Sequence, residues 1–243
     1  MLLRRIRQRL SNSNAKVATY VLEVLLIILS VLAAIQADRY NQARKDQQKL
    51  DDYVQALHQD LQEELETNRM NLFDCQKDLE AIEAAMRQFR YDQNDSLELG
   101  LTNLGAVFTR GVFRSFPPTT YDVMLSSGDL ALIEDLEFRN LLAAAMAFRD
   151  NYLKKDLENF DEQTLEFSRY MGQYVDINCL AYSQTLYSCL TDRQGLVNDV
   201  HNELFIYYRV AQLRAFHLSA SIRTMTVTLN AMKELYDVGA EGE

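Results

Sequence analysis

Apolar and polar residues divide this chain into one uninterrupted apolar run and a longer region with helical periodicity. The apolar run covers residues 17–37 and contains one formally charged side chain, Glu23. A helix of this length spans roughly 31 Å at ~1.5 Å per residue, which matches the thickness of a bilayer core. The pattern predicts a transmembrane helix at residues 17–37, preceded by a basic segment at residues 1–16.

Beyond residue 37, apolar residues recur at the spacing of one helix face. From Leu61 to Phe89 they alternate at intervals of four and three residues, as in the seam of a coiled coil. The predicted seam consists of Leu50, Val54, Leu57, Leu61, Leu65, Asn68, Leu72, Cys75, Leu79, Ile82, Met86 and Phe89. Its polar member, Asn68, either sets register or oligomeric state or is bonded within a bundle. No Pro or Gly lies between residues 16 and 91, so the span and this helix are predicted to be continuous.

Two further long helices are predicted, one following Asp135 and one from about residue 197 to 237. Between them and the first helix lie two irregular segments, and in one of these Pro117-Pro118 and a Thr cap predict a short helix ending at Gly128. The expected fold is all-α: one N-terminal transmembrane helix continuous with a three-helix, coiled-coil-like antiparallel bundle at residues 38–237, then a disordered tail at 238–243. In the expected up-down-up order, the Pro-Pro segment lies far from the membrane and the later cysteine loop nearer to it.

The distribution of charge predicts a topology. Five basic residues precede the apolar run, whereas the whole chain has a formal net charge of −10. The positive-inside rule places the N-terminus in the cytoplasm, so the bulk of a single-pass protein of a bacterial inner membrane would be periplasmic. A cleaved signal peptide ending near residues 34–37 is the alternative, although the run exceeds the usual ~7–15 residues. An acidic surface without a basic stripe disfavours nucleic-acid binding.

The cysteines become informative in that compartment. Cys179 and Cys189 flank a Tyr- and Ser-rich stretch that lacks a helical apolar stripe. A disulfide closing this loop is plausible in the periplasm, and two free thiols are the alternative. Cys75 occupies a seam position and is expected to be unpaired.

Two segments resemble a bacterial domain family of unknown function. Residues 22–42 are similar to its N-terminal signature, Gly-Glu-Ile, an aliphatic span and Ala-Leu-Gln-Ile-Asn-Asn-Trp-Asn-Glu, with Leu22 in place of Gly and Tyr40 in place of Trp. Residues 120–133 resemble its second motif, Thr-Tyr/Phe-Glu-x-Leu-x-Ser-Ser-Gly-x-Leu-x-Leu-Ile. The resemblance implies a single-span protein with a helical ectodomain, and it implies no activity and no catalytic residue.

One face of the predicted span combines an acid with small residues, and it consists of Glu23, Ile27, Ser30, Ala34 and Ala37. A carboxyl inside a bilayer is costly, and small residues permit close helix approach. We expect this face to contact another membrane helix. The alternative is that the Glu23 carboxylate reaches the cytoplasmic interface.

No motif predicts catalysis, a metal site or a cofactor. The three histidines are far apart, and the sequence has no His-Glu-x-x-His or Cys-x-x-Cys motif and no glycine-rich phosphate loop. The favoured hypothesis is a non-catalytic accessory or scaffolding subunit whose partners are the bilayer and other membrane subunits or copies of itself. A periplasmic sensory domain acting through a partner is the second hypothesis, and an enzyme is the third.

Overall fold

The structure, a computed structural model, describes residues 2–108, 119–236 and Val238, with side chains from Glu23 onward except that of Ala181. The predicted Pro117-Pro118 signal and residues 239–243 of the predicted tail lie outside the described residues. The fold is all-α, as predicted. Its helices within the described residues are α1 (Leu2–Gln88), α2 (Asn94–Phe108), α3 (Thr120–Ser127), α4 (Leu136–Phe148), α5 (Lys154–Met171), α6 (Ile177–Tyr182) and α7 (Arg193–Tyr236).

The chain separates into two compact units, Met1–Asp52 and Tyr53–Glu243. The first unit consists of the N-terminal part of α1. Among the described residues, the structure contains no helix that is both long and apolar enough to cross a membrane. The transmembrane helix predicted at residues 17–37 is therefore not supported by the part of the chain that the structure describes.

In the second unit, α1 runs parallel to α4 and α5, and α7 runs antiparallel to all three. Asn68 contacts Ser221, and further along α1 Cys75 contacts Ala211, so α1 and α7 have opposite directions. Glu64 faces Arg149, where α4 ends, whereas Cys75 packs with Leu157 of α5, so α1 and α4–α5 run in the same direction.

The predicted up-down-up order is therefore wrong. The reason lies in the connection that follows α1, which returns the chain to the start of the bundle. Asp60 of α1 accepts a hydrogen bond from the backbone N–H of Thr120 at 2.6 Å, and Tyr53 donates to Asp129 at 2.8 Å. The α3 corner thus lies beside the beginning of the second unit. The cysteine loop lies at the other end, where the backbone N–H of Tyr187 donates to Glu98 of α2.

The predicted end signals of the short helices are confirmed. Thr119 precedes α3, and Asp122 accepts hydrogen bonds from its backbone N–H at 2.8 Å and its hydroxyl at 3.0 Å. Gly128 ends α3 with φ of +80°, a conformation that glycine adopts without the strain of a Cβ atom. Asp135 caps α4 by accepting from the N–H of Phe138 at 2.7 Å. These caps fix where the chain turns back into the bundle.

The helix predicted after Asp135 runs from Leu136 to Met171 and contains one irregular turn. A π-helical turn, Arg149–Leu153, separates α4 from α5 and shifts the phase of the residues that follow. Such insertions leave one residue outside the regular α-helical register and are frequent at functional sites. The turn places Arg149 in the interior of the bundle, with 3% of its surface exposed.

Candidate functional site

The predicted contact face lies in the first unit, on a part of α1 whose residues are all exposed. Ser30 donates its hydroxyl hydrogen to backbone carbonyls of its own helix, those of Leu26 and, at 3.2 Å, Ile27. Its hydrogen-bonding capacity is thus met without a second helix. Glu23 is the ionisable residue of this face. The other members, Ile27, Ala34 and Ala37, are apolar.

Asn68 is buried between α1 and α7. Its side-chain amide donates to the hydroxyl of Ser221 at 3.2 Å and lies 3.6 Å from the sulfur of Met225. Of the two alternatives, the structure therefore has Asn68 bonded within the bundle. The seam faces helices of the same chain.

Cys179 and Cys189 form a disulfide, with their Cα atoms 5.5 Å apart. The bond joins α6 to the 3₁₀ turn Leu186–Cys189, next to an isolated bridge between Val175 and Leu190. The loop is further closed by the backbone N–H of Asp176, which donates to the carbonyl of Cys189 at 2.9 Å. Cys75 is buried and has a free thiol.

The buried stripe of α1 is wider than the predicted seam, and its extra members include charged residues. Glu64, Asn71 and Asp78 are 8%, 7% and 2% exposed, and each lies one position before a predicted seam leucine. Leu72 and Leu79 are only half-buried. Because α1 packs against other elements on both sides of its seam, the interior reaches these neighbouring polar positions. Glu64 and Asp78 belong to two polar clusters, which are centred on Arg149 and Arg214.

The first, the Arg149 cluster, joins α1, α3 and the π-helical turn. The guanidinium of Arg149 lies 3.7 Å from the carboxylate of Glu64 and 3.5 Å from that of Asp122. Its Nε donates to Asp150 at 2.8 Å, and its Nη1 donates to the hydroxyl of Thr119 at 3.4 Å. One cation thus holds three carboxylates that come from three different elements.

The acids of this cluster differ in their protonation. Burial raises the pKa of Glu64 to about 7, although the charge of Arg149 opposes that rise. For Asp122, burial acts in the same upward direction, but hydrogen bonds from Thr119 and the charge of Arg149 hold its pKa below the usual value. Glu64 therefore changes charge near neutral pH while Asp122 stays ionised.

The second, the Arg214 cluster, lies deeper, between α1, α5 and α7. Arg214 is completely buried, and its guanidinium carbon lies 4.4 Å from the centroid of the Phe160 ring. Burial lowers its pKa to about 10, although electrostatic interactions with groups that include Cys75 and Asp78 oppose that change. Nearby, the Tyr207 hydroxyl is 2.9 Å from that of Thr164. This cluster ties the three helices together through polar groups.

The buried thiol in this region is unsuited to nucleophilic catalysis. Burial raises the pKa of Cys75 to about 11, and its sulfur donates to the carbonyl of Ala211 at 3.3 Å. The thiolate is the reactive form of cysteine, so a protonated and enclosed thiol is inert.

Towards the surface, Nδ1 of His217 lies 3.1 Å from Asp156, and aromatic rings of Phe148, Tyr152 and Phe216 contact the imidazole.

Metal coordination finds no support in the part of the chain that the structure describes. No group of three or more His, Cys, Asp and Glu side chains there is arranged to hold a metal ion. The guanidinium of Arg149 instead contacts the carboxylates of Glu64, Asp122 and Asp150, and that of Arg214 lies over the Phe160 ring. The Arg149 cluster joins α1, α3 and the π-helical turn, and the Arg214 cluster lies between α1, α5 and α7.

Sequence reasoning missed both clusters because it treated polar residues as surface residues. A weak signal was present, since Glu64, Asn71 and Asp78 repeat at intervals of seven in phase with the seam. The partner cations gave no such signal. Arg149 lies 85 residues after Glu64 and Arg214 lies 136 residues after Asp78. Arg149 also enters the interior through a π-helical turn that no sequence pattern predicts.

In comparisons with known proteins, no family model, curated protein or solved structure matches the chain. The resemblance of residues 22–42 and 120–133 to a family of unknown function remains a prediction.

Proposed function

We propose that the protein is a non-catalytic, membrane-anchored accessory or scaffolding subunit. Residues 17–37 anchor it in a bacterial inner membrane, with the N-terminus in the cytoplasm. The helical unit Tyr53–Glu243 lies in the periplasm, where it packs against other subunits of a membrane assembly or against copies of itself.

One observation carries this proposal. Along residues 24–35 of α1, the large apolar side chains are all 44–60% exposed, and they point to every side of the helix. A helix that is apolar on all sides is stable when protein or lipid surrounds it. Ser30 bonds to its own backbone, so it adds no unsatisfied polar group to such an environment. The basic residues that precede the apolar run support the proposed orientation.

The buried clusters support a structural rather than a catalytic role. Arg149 is enclosed by the carboxylates that it binds, and Arg214 has no exposed surface. The Cys75 thiol is protonated at physiological pH because burial raises its pKa to about 11. A helical unit whose buried Arg149 is paired with carboxylates of the same chain suits a protein that positions others.

Fractionation tests the anchor. The full chain should stay in membranes washed with alkaline carbonate, and protease added to spheroplasts should digest its bulk. Leu26→Arg combined with Leu29→Arg should release it, because each charge at the centre of a span costs ~2.5–3.5 kcal/mol. The matched control, Gln42→Arg with Gln47→Arg, should stay in the membrane. Release of the unaltered chain by carbonate would refute the anchor.

Co-purification tests the scaffolding role. After gentle detergent extraction, the chain should elute together with other subunits or as an oligomer. A lone monomer without any bound protein would refute that role.

A sensory role is the second candidate, and the Arg149 cluster favours it. Glu64 is buried, has a pKa of about 7, and links α1 to α3 through Arg149. Its charge therefore depends on pH in the physiological range. A change in co-purifying partners between pH 6 and pH 8 that Glu64→Gln abolishes would favour this role over a constitutive scaffold.

A further inference from the structure

The outward face of α7 carries a second seam, on the side opposite the bundle. Along it, Ile206, Leu213, Ala220 and Val227 repeat at intervals of seven residues. The side chains of Ile206, Leu213 and Val227 are 50%, 49% and 54% exposed, respectively. Phe216, 60% exposed, lies at the centre of this stripe. A heptad repeat of apolar residues facing outward is the pattern that a helix presents to another helix.

The charges on this seam have one sign. Arg209 and Arg223 lie seven residues before and after Phe216, and both are exposed. Residues 204–233 contain no Asp or Glu, although the chain as a whole is acidic. The seam therefore fits an apolar helix face with acids at the same spacing.

The outward face of α1 carries acids at that spacing around one large exposed aromatic side chain, that of Phe73. Phe73 is 57% exposed, and the exposed acids Glu66 and Glu80 lie seven residues before and after it. The face also carries Arg69, 3.8 Å from Glu66, and Lys77, 4.1 Å from the Phe73 ring centroid. Exposed pairs of this kind are weak and exchange partners readily.

The bundle holds these two faces in register. Asn68 contacts Ser221 and Cys75 contacts Ala211 across the antiparallel pair α1 and α7. Phe73 and Phe216 are therefore at about the same height along the bundle. In two copies placed side by side, Glu66 of one reaches the level of Arg223 of the other, and Glu80 the level of Arg209.

We infer that the outward face of α7 binds the outward face of α1 in a second copy of this chain. The inference rests on the proposed scaffolding function, of which it names the partner. Contact between the α7 faces of two copies is disfavoured because it would place like charges together. If the two helices were antiparallel and centred on Phe216, Arg209 of one copy would face Arg223 of the other. If they were parallel, each arginine would face the same arginine of the other copy. The α1–α7 contact is heterologous, so each copy retains one free face for a further copy.

Cross-linking of two variants that each carry one added cysteine tests the geometry. Arg69→Cys and Ala220→Cys lie at matching heights beside Phe73 and Phe216, and both variants use the full chain in detergent. A short bismaleimide linker should join the two variants when they are mixed, and join neither variant to itself. The unaltered chain controls for the native cysteines. Cross-linking of Ala220→Cys alone, or none above the control in the mixture, would overturn the inference.

Charge reversal tests the recognition. Glu66→Arg with Glu80→Arg, and separately Arg209→Glu with Arg223→Glu, should each weaken self-association at least tenfold. The chain that carries all four changes should recover it. Glu137→Arg with Glu158→Arg, exposed acids elsewhere on the bundle, should leave it unchanged.

Light scattering of the detergent-extracted chain measures this association. Failure of all four changes to restore it would overturn the inference. If the unaltered chain instead binds only a different protein and stays in carbonate-washed membranes, the inference fails while the proposed function stands.

Discussion

Replacing Glu64 by Gln should remove a pH dependence from the stability of the bundle. Burial raises the pKa of Glu64 from 4.5 to about 7, so the folded protein holds this proton more tightly than the unfolded chain does. Such a group stabilises the fold when protonated, and that contribution is lost as pH rises between the two values. The difference corresponds to about 3 kcal/mol between pH 4.5 and pH 7.5.

The expected result follows from the neutral amide. Glu64→Gln should match the unaltered chain in unfolding free energy near pH 4.5, where the glutamate is protonated. At pH 7.5 the variant should be more stable by about 3 kcal/mol, because it has no charge to desolvate. This value already includes the attraction of Arg149, which lowers the pKa of Glu64.

Urea unfolding of the full chain in a mild detergent, followed by circular dichroism at several pH values, measures this difference. Other carboxyl groups also titrate, so the comparison is between variants at each pH. Glu66→Gln is the matched control, because Glu66 lies on the same helix with 64% of its side chain exposed. If the curves of Glu64→Gln and the unaltered chain run parallel from pH 4.5 to 7.5, the reasoning about Glu64 is refuted.

Two further predictions concern packing and helix ends. Gly100→Ala should destabilise the protein by about 1–3 kcal/mol, because its Cβ atom would lie 2.6 Å from the Phe89 ring. Gly105→Ala should be neutral or stabilising in thermal unfolding, because among the described residues its Cβ atom would meet nothing within 4 Å beyond its own helix backbone and chain neighbours. Asp135→Ala removes the cap of α4 and should lower the free energy of unfolding by about 1 kcal/mol. Asp135→Asn should retain most of that stability, because the Asn side chain can also accept the capping hydrogen bond. Equal losses of stability in both variants would contradict the capping role.

The helical pattern of α1 shows how far sequence reasoning reaches. Leu57, Leu61 and Ile82 were predicted as seam residues and are 0–1% exposed. The same pattern placed the next layer at Leu72 and Leu79, whereas the structure buries Asn71 and Asp78. The spacing of apolar residues along one helix predicts how often a residue is buried. How wide the buried stripe becomes depends on how many neighbours pack against it.

The order of the helices was not predictable from their lengths and connections. Short links favour antiparallel neighbours, but the link between α1 and α4 includes α2 and α3, which return the chain to its starting end. The contact of Asp60 with Thr120 decides this, and it joins residues far apart in sequence. A helix pattern contains no information about such a contact.

The sequence by itself determined that the chain is helical, where α3 and α4 begin, and that α3 ends at Gly128. These properties depend on local spacing, side-chain caps and backbone conformations, which neighbouring residues set. Only the tertiary structure decided that α1 and α4–α5 are parallel and that Arg149 and Arg214 lie in the interior. A buried charge is tolerated only where distant residues supply its partners, so its position follows from the assembled fold.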